Sequence, residues 1–110
     1  MTNRKYKEKL DDLLLVCHKN LYKVDENLIR RAFEFGFNAH RFDKRASGEP
    51  FFDHPYEVAN IVAKEIPLDD VSVAAALMHD VAEDTEYQIQ DIRAEFGDTI
   101  ADIVDGATKI

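Results

Sequence analysis

Val71-Ser72-Val73-Ala74-Ala75-Ala76-Leu77-Met78-His79-Asp80 is the stretch on which the reading of this chain turns. Its first eight residues are apolar on nearly every face, which predicts a helix buried all round rather than an amphipathic one. His79 and Asp80 close the run, and Glu83-Asp84 follow one turn later. A histidine and three carboxylates brought into low dielectric must be paired, neutralised or given to a cation, because unpaired buried charge is very costly. A metal ion meets that demand with the fewest added groups.

Working outward, the remaining pattern is helical. Leu10, Leu13, Leu14, Cys17 and Leu21 recur at helical spacing and predict a first amphipathic helix. Asp25 is placed to cap a second, whose inward face is Leu28, Ile29, Ala32, Phe33, Phe35 and Ala39. Residues 43 to 53 break the period, and Ser47-Gly48-Glu49-Pro50 reads as a turn. His54 precedes Pro55, a residue favoured at the start of a helix, so His54 is expected at the N-terminus of a third helix that runs through Val58, Ile61 and Val62 to Pro67. Asp69 or Asp70 caps the fourth, expected to continue to about Thr85. Gly97 closes a fifth containing Ile89, Ile92 and Phe96, and Asp98 opens a sixth with Ile100, Ile103 and Val104. Asp105-Gly106-Ala107-Thr108-Lys109-Ile110 is read as a helix end with an onward connection. No useful length alternates with period two, so the fold class is all-α, a bundle of about six helices.

A chain of 110 residues is one small domain that buries roughly two-thirds of its unfolded surface. The formal charge of −8 and pI near 4.9 argue against direct nucleic-acid binding, which draws on clustered Lys and Arg. Arg41, Lys44 and Arg45 still offer a local basic pocket for one phosphorylated ligand. The single cysteine, Cys17, excludes an intrachain disulfide or a Cys-based zinc site and fits a reducing compartment. No apolar run reaches the ~18 residues of a membrane span, and the charged N-terminus is no signal peptide, so the expected location is the cytoplasm, away from membranes.

On one continuous helix His79 and Glu83 share a face, as do Asp80 and Asp84, while Asp80 and Glu83 are also adjacent. With His54 from a neighbouring helix, His79 and Asp80 give three positions around one ion. A mixed N and O donor set without thiolate suits manganese, iron or zinc. A metal lowers the pKa of the water it binds toward about 7, which suits attack on phosphorus. Glu83 and Asp84 then serve to orient that water and move its proton. Each residue taken singly has an ordinary reading: His54 a cap or packed histidine, Glu83-Asp84 a solvated helix end, Arg45 a surface cation. His18 and His40 read as partly exposed helical histidines, Cys17 as a core thiol, and Phe33, Phe35, Phe37 and Phe42 as packing. The combination favours a metal.

Several motifs in order resemble one family. Arg45-Ala46-Ser47-Gly48-Glu49-Pro50-Phe51-Phe52-Asp53-His54-Pro55, Ala74-Ala75-Ala76-Leu77-Met78-His79-Asp80-Val81-Ala82-Glu83-Asp84-Thr85, Glu95-Phe96-Gly97 and Val104-Asp105-Gly106-Ala107-Thr108-Lys109 closely resemble the N-terminal HD-type hydrolase domain of the RelA/SpoT homologues, over roughly residues 28 to 110. The resemblance implies manganese-dependent removal of the 3′-pyrophosphate from guanosine tetra- and pentaphosphate (ppGpp and pppGpp), the stringent-response alarmones. It implies metal ligation by His54, His79 and Asp80, a catalytic acidic pair in Glu83 and Asp84, and a guanosine pocket beginning at Arg45 and Ser47. Phe42, Lys44 and Ala46 stand where the family more often has glycine, an aromatic residue and lysine, and Gln88 where threonine is a common cap.

The family's fourth metal ligand is an aspartate on a later helix, so the resemblance implies that residues 1–110 are the N-terminal part of an HD phosphohydrolase domain in a bifunctional synthetase/hydrolase. The segment alone is then expected to bind metal weakly and turn over poorly if at all, and pairing of two copies through uncovered apolar surface is a further reading. Two rival readings stand beside this one, an HD phosphohydrolase acting on another nucleotide and a non-catalytic helical module that regulates a synthetase domain.

Overall fold

In the computed structural model, which describes residues 3–40, 48, 50–65 and 69–108, the described residues form helices α1 (Asn3–Asn20), α2 (Glu26–Ala39), α3 (Asp53–Glu65), α4 (Asp70–Met78), α5 (Val81–Asp84), α6 (Ile89–Phe96) and α7 (Asp98–Thr108). α4 is the axis of the bundle. Its residues from Val73 to Met78 are all buried, and α2, α3 and α7 pack around it. An apolar run with no polar face finds its place only where helices cover every side. α1 lies across α2 and α3, and α6 pairs with α7. None of the described helices is long and apolar enough to cross a membrane.

The local signals for these helices act as read. Asp25 caps α2 by accepting the Leu28 N–H at 3.1 Å, and Asp69 caps α4 by accepting the Ser72 N–H at 2.8 Å. Asp70 has a different task, accepting the Asp25 N–H at 2.6 Å and so tying the starts of α2 and α4 together. Asp91 reaches back to the Gln88 N–H at 2.7 Å, one half of a capping box, and Gly97 ends α6 with φ at 93°.

The core is aromatic on the α1, α2 and α3 side. Phe33 meets Tyr6, Phe52 and Tyr56 edge to face, with ring centroids 4.9, 5.0 and 6.0 Å apart, each pair worth ~1 kcal/mol beyond its buried area. Cys17 is fully buried beside it. Gly36 allows α2 to touch α4, since a Cβ there would lie 2.6 Å from the Leu77 carbonyl oxygen and 2.9 Å from Phe52 Cε1.

Three expectations differ from the fold. The fourth helix does not run on to Thr85: it stops at Met78, and a separate turn of helix, α5, begins at Val81. The cause is local, because the His79 N–H and its ring Nδ1 both turn back to the Ala76 carbonyl, at 3.5 and 2.6 Å, and a side chain competing for a carbonyl interrupts the helical ladder. α3 begins at Asp53, one residue before His54. His40 is buried, 2% exposed, and stacks on Phe51 at 4.6 Å, whereas His18 is exposed as expected and meets Glu26 at 2.7 Å. Residues from Asp105 to Thr108 lie within α7, of which Thr108 is the last described residue.

Candidate metal centre

Three of the anticipated ligands meet at one point. His54 comes from the first turn of α3, and His79 and Asp80 form the junction between α4 and α5. One donor atom from each lies within 4.8 Å of the other two. The rings of His54 and His79 are 5.9 Å apart between centroids and inclined at 61°. His79 and Asp80 are half-buried and His54 is exposed, so the cluster sits at the mouth of the bundle with one side toward solvent.

The hydrogen bonds around His79 decide its chemistry. Its Nδ1 lies 2.6 Å from the Ala76 carbonyl oxygen, which only accepts, so Nδ1 carries the proton. In the neutral ring Nε2 then presents a lone pair, and Nε2 stands 3.2 Å from Asp80 Oδ2. Two acceptors at that distance need a positive centre between them, either a second ring proton or a metal ion. A ring N–H donated to a backbone carbonyl is the usual way to fix the tautomer of a ligating histidine. Asp80 stands at the N-cap of α5, yet its side chain makes no capping hydrogen bond, which leaves the carboxylate to His79 and the space beside His54. Two imidazole nitrogens and one carboxylate oxygen fit a borderline divalent cation.

α3 is held at the end that carries His54 from two sides. Phe52, 1% exposed, is driven into the core ahead of His54. The Asp53 and His54 N–H groups donate to the Pro50 and Phe51 carbonyls at 3.2 and 3.3 Å. From α1, Lys9 Nζ reaches Asp53 Oδ1 at 3.2 Å, and the Tyr56 hydroxyl donates to the Lys9 carbonyl at 3.0 Å. Nothing in the local sequence pointed to Lys9, because its partner lies 44 residues away.

The acidic pair is placed by backbone alone. Glu83 and Asp84 close α5, directly after the junction that carries His79 and Asp80; their side chains lie outside what is described. The break at the junction removes the continuous helix on which His79 and Glu83, or Asp80 and Asp84, would share a face. α5 is itself closed by Thr85, whose hydroxyl donates to the Val81 carbonyl at 2.6 Å and accepts the Tyr87 N–H at 3.2 Å. Arg45 and Ser47, with Arg41, Phe42, Lys44 and Ala46, also lie outside the described residues. A separate cleft of about 290 Å³ runs along α2 and is lined by Arg31, Glu34, Phe35, Asn38, Tyr87 and Glu95.

Residues 32–110 match the HD domain family. A probable GTP pyrophosphokinase of Mycobacterium leprae is 42% identical over 98 residues, which is 88% of this chain and 12% of that protein. A GTP pyrophosphokinase of Streptomyces coelicolor is 39% identical over 108 residues, 96% of this chain and 13% of its own length. The GTP pyrophosphokinase rsh of Brucella melitensis biotype 1 is 44% identical over 98 residues, 87% of this chain and 13% of its own. The chain thus spans about an eighth of the length of the curated relatives it matches.

Proposed function

The chain belongs to the HD-domain family, with relatives of the RelA/SpoT type, and from that premise we propose that it is the first part of a manganese-dependent hydrolase domain that removes the 3′-pyrophosphate of ppGpp and pppGpp in the cytoplasm. The observation that carries the reading is the pair of acceptors His79 Nε2 and Asp80 Oδ2 at 3.2 Å, with a His54 donor within the same 4.8 Å cluster. His54, His79 and Asp80 would hold the ion. A divalent cation bound there supplies Lewis-acid activation of water and of a phosphoryl oxygen.

The chain's own residues do the rest. The Ala76 carbonyl keeps the His79 proton on Nδ1 and the lone pair on Nε2. Asp80 brings a negative charge that offsets the cation. Glu83 and Asp84, on the turn of helix that follows, orient the attacking water and accept its proton as the bond from phosphorus to the ribose 3′ oxygen breaks. GDP or GTP and pyrophosphate are the products, and one water is consumed. Arg45 stacks on guanine and Ser47 binds beside it, which gives a chain of net charge −8 a local cationic surface for a polyanionic nucleotide.

A chromatographic assay with Mn²⁺ tests this on the longest protein that carries the segment, offered ppGpp beside deoxynucleoside triphosphates. Release of pyrophosphate from ppGpp, lost in Asp80→Ala and in Glu83→Gln, supports the proposal. Preference for the deoxynucleotides would replace it with another HD phosphohydrolase.

A further inference from the structure

We infer that Lys9 of α1 is a positioning residue for His54. The inference rests on the reading of His54 as a metal ligand, and it extends the site to a helix that lies outside residues 32–110, the part matched by the HD domain family.

Of the three clustered residues His54 is the exposed one. His79 is fixed by the Ala76 carbonyl through its ring, whereas His54 depends on the course of the backbone that carries it. Lys9 holds the side chains on both sides of the His54-Pro55 pair. Its ammonium is 3.2 Å from Asp53 Oδ1, immediately before His54, and 4.6 Å above the ring of Tyr56, immediately after Pro55. Its carbonyl accepts the Tyr56 hydroxyl at 3.0 Å. One residue of α1 thus makes three contacts to the two residues that bracket the pair.

The arrangement has the character of a clamp rather than of a surface ion pair. The side chains of Lys9 and Asp53 are 31% and 28% exposed, so the pair is screened less than a fully solvated one. Beneath it Leu10, Leu13, Leu14 and Cys17 bury α1 in the core, which makes the helix a rigid base. Asp53 is also the acidic residue in the first turn of α3, where a carboxylate complements the helix dipole. Lys9 holds that carboxylate and, with it, the direction in which His54 leaves the helix. The aromatic half of the contact adds a cation over a ring face.

The test compares the intact chain with Lys9→Met, which keeps the stem and removes the charge, Lys9→Arg, which restores a cation, and Leu14→Ala, which weakens the same helix from its buried side. In metal-free protein, NMR reads the ring-to-ring NOE expected for His54 and His79 at a centroid separation of 5.9 Å. Calorimetry then reads affinity for Mn²⁺ alone. The NOE should be lost in Lys9→Met and kept in Lys9→Arg and in Leu14→Ala. Mn²⁺ affinity should fall about tenfold in Lys9→Met, the lower end of what outer partners of metal ligands cost, and recover in Lys9→Arg. An unchanged NOE and affinity in Lys9→Met would overturn the inference, as would an equal loss in Leu14→Ala. Loss of the NOE in Lys9→Met in a chain that takes up no Mn²⁺ would uphold the positioning and overturn the metal reading alone.

Discussion

Asp80 is withheld from the ordinary duty of its position. An aspartate at an N-cap normally accepts a backbone N–H of the helix it precedes, yet Asp80 makes no such bond and faces His79 Nε2 at 3.2 Å instead. Asp80→Asn should therefore leave the metal-free protein with a neutral His79 ring at least as stable, since an amide can donate where the carboxylate would face a lone pair. Thermal melts with chelator and with Mn²⁺ check this. The native chain should gain stability from Mn²⁺, by about 2.7 kcal/mol when the ion is at a hundred times its Kd, and Asp80→Asn should gain nothing. Gly36 makes a second prediction at this scale. Its missing side chain lets α2 meet the Leu77 carbonyl two residues before His79. Gly36→Ala should cost roughly 1–3 kcal/mol in chemical denaturation, the usual penalty for overfilling a packed contact, and wild-type stability would refute the account of that contact.

At the scale of elements the informative one is the junction of α4 and α5. The buried helix was legible because eight successive residues, apolar but for Ser72, leave no polar face, and its cap was legible only to within Asp69 or Asp70, of which Asp69 takes the Ser72 N–H. The break at His79 was not, since it depends on a ring nitrogen turning back to Ala76, a choice that the spacing of residues does not record. The same distinction explains His40, covered by Phe51 from further along the chain, and Lys9, paired with a residue 44 positions away. The clustering of His54, His79 and Asp80 could be read in advance because two of the three are adjacent and the third heads a helix. Asp69→Ala should loosen the start of α4 and cost about 1 kcal/mol, the ordinary value of an N-cap. Hydrogen exchange at Ser72 and Val73 should rise with it, and unchanged protection there would count against the cap as the anchor of α4.

The whole molecule carries a pH dependence that is independent of the metal. Burial raises the Cys17 thiol from its ordinary 9.0 to about 11, and the nearby Asp70 carboxylate adds to the effect. Burial likewise raises the phenols of Tyr6 and Tyr56 above 10.0, with Glu34 adding to the first. The folded state therefore holds protons that the unfolded state releases, so this contribution is full below pH 9 and is lost as the pH rises through about 11. Unfolding free energy should fall by roughly 2–3 kcal/mol over that window on account of the thiol alone, and Cys17→Ala should flatten the fall at whatever cost its smaller side chain brings to the core. Reaction of Cys17 with a disulfide reagent at pH 8 should be slow and limited by unfolding. At neutral pH the same folded chain is most directly questioned by a Mn²⁺ titration followed by paramagnetic broadening of the histidine ring signals, run on the native sequence and on Asp80→Ala. Saturable broadening of His54 and His79 ahead of His18, abolished in Asp80→Ala, is the predicted result. Broadening spread evenly over the acidic surface, or unaffected by the substitution, would contradict a metal held by His54, His79 and Asp80.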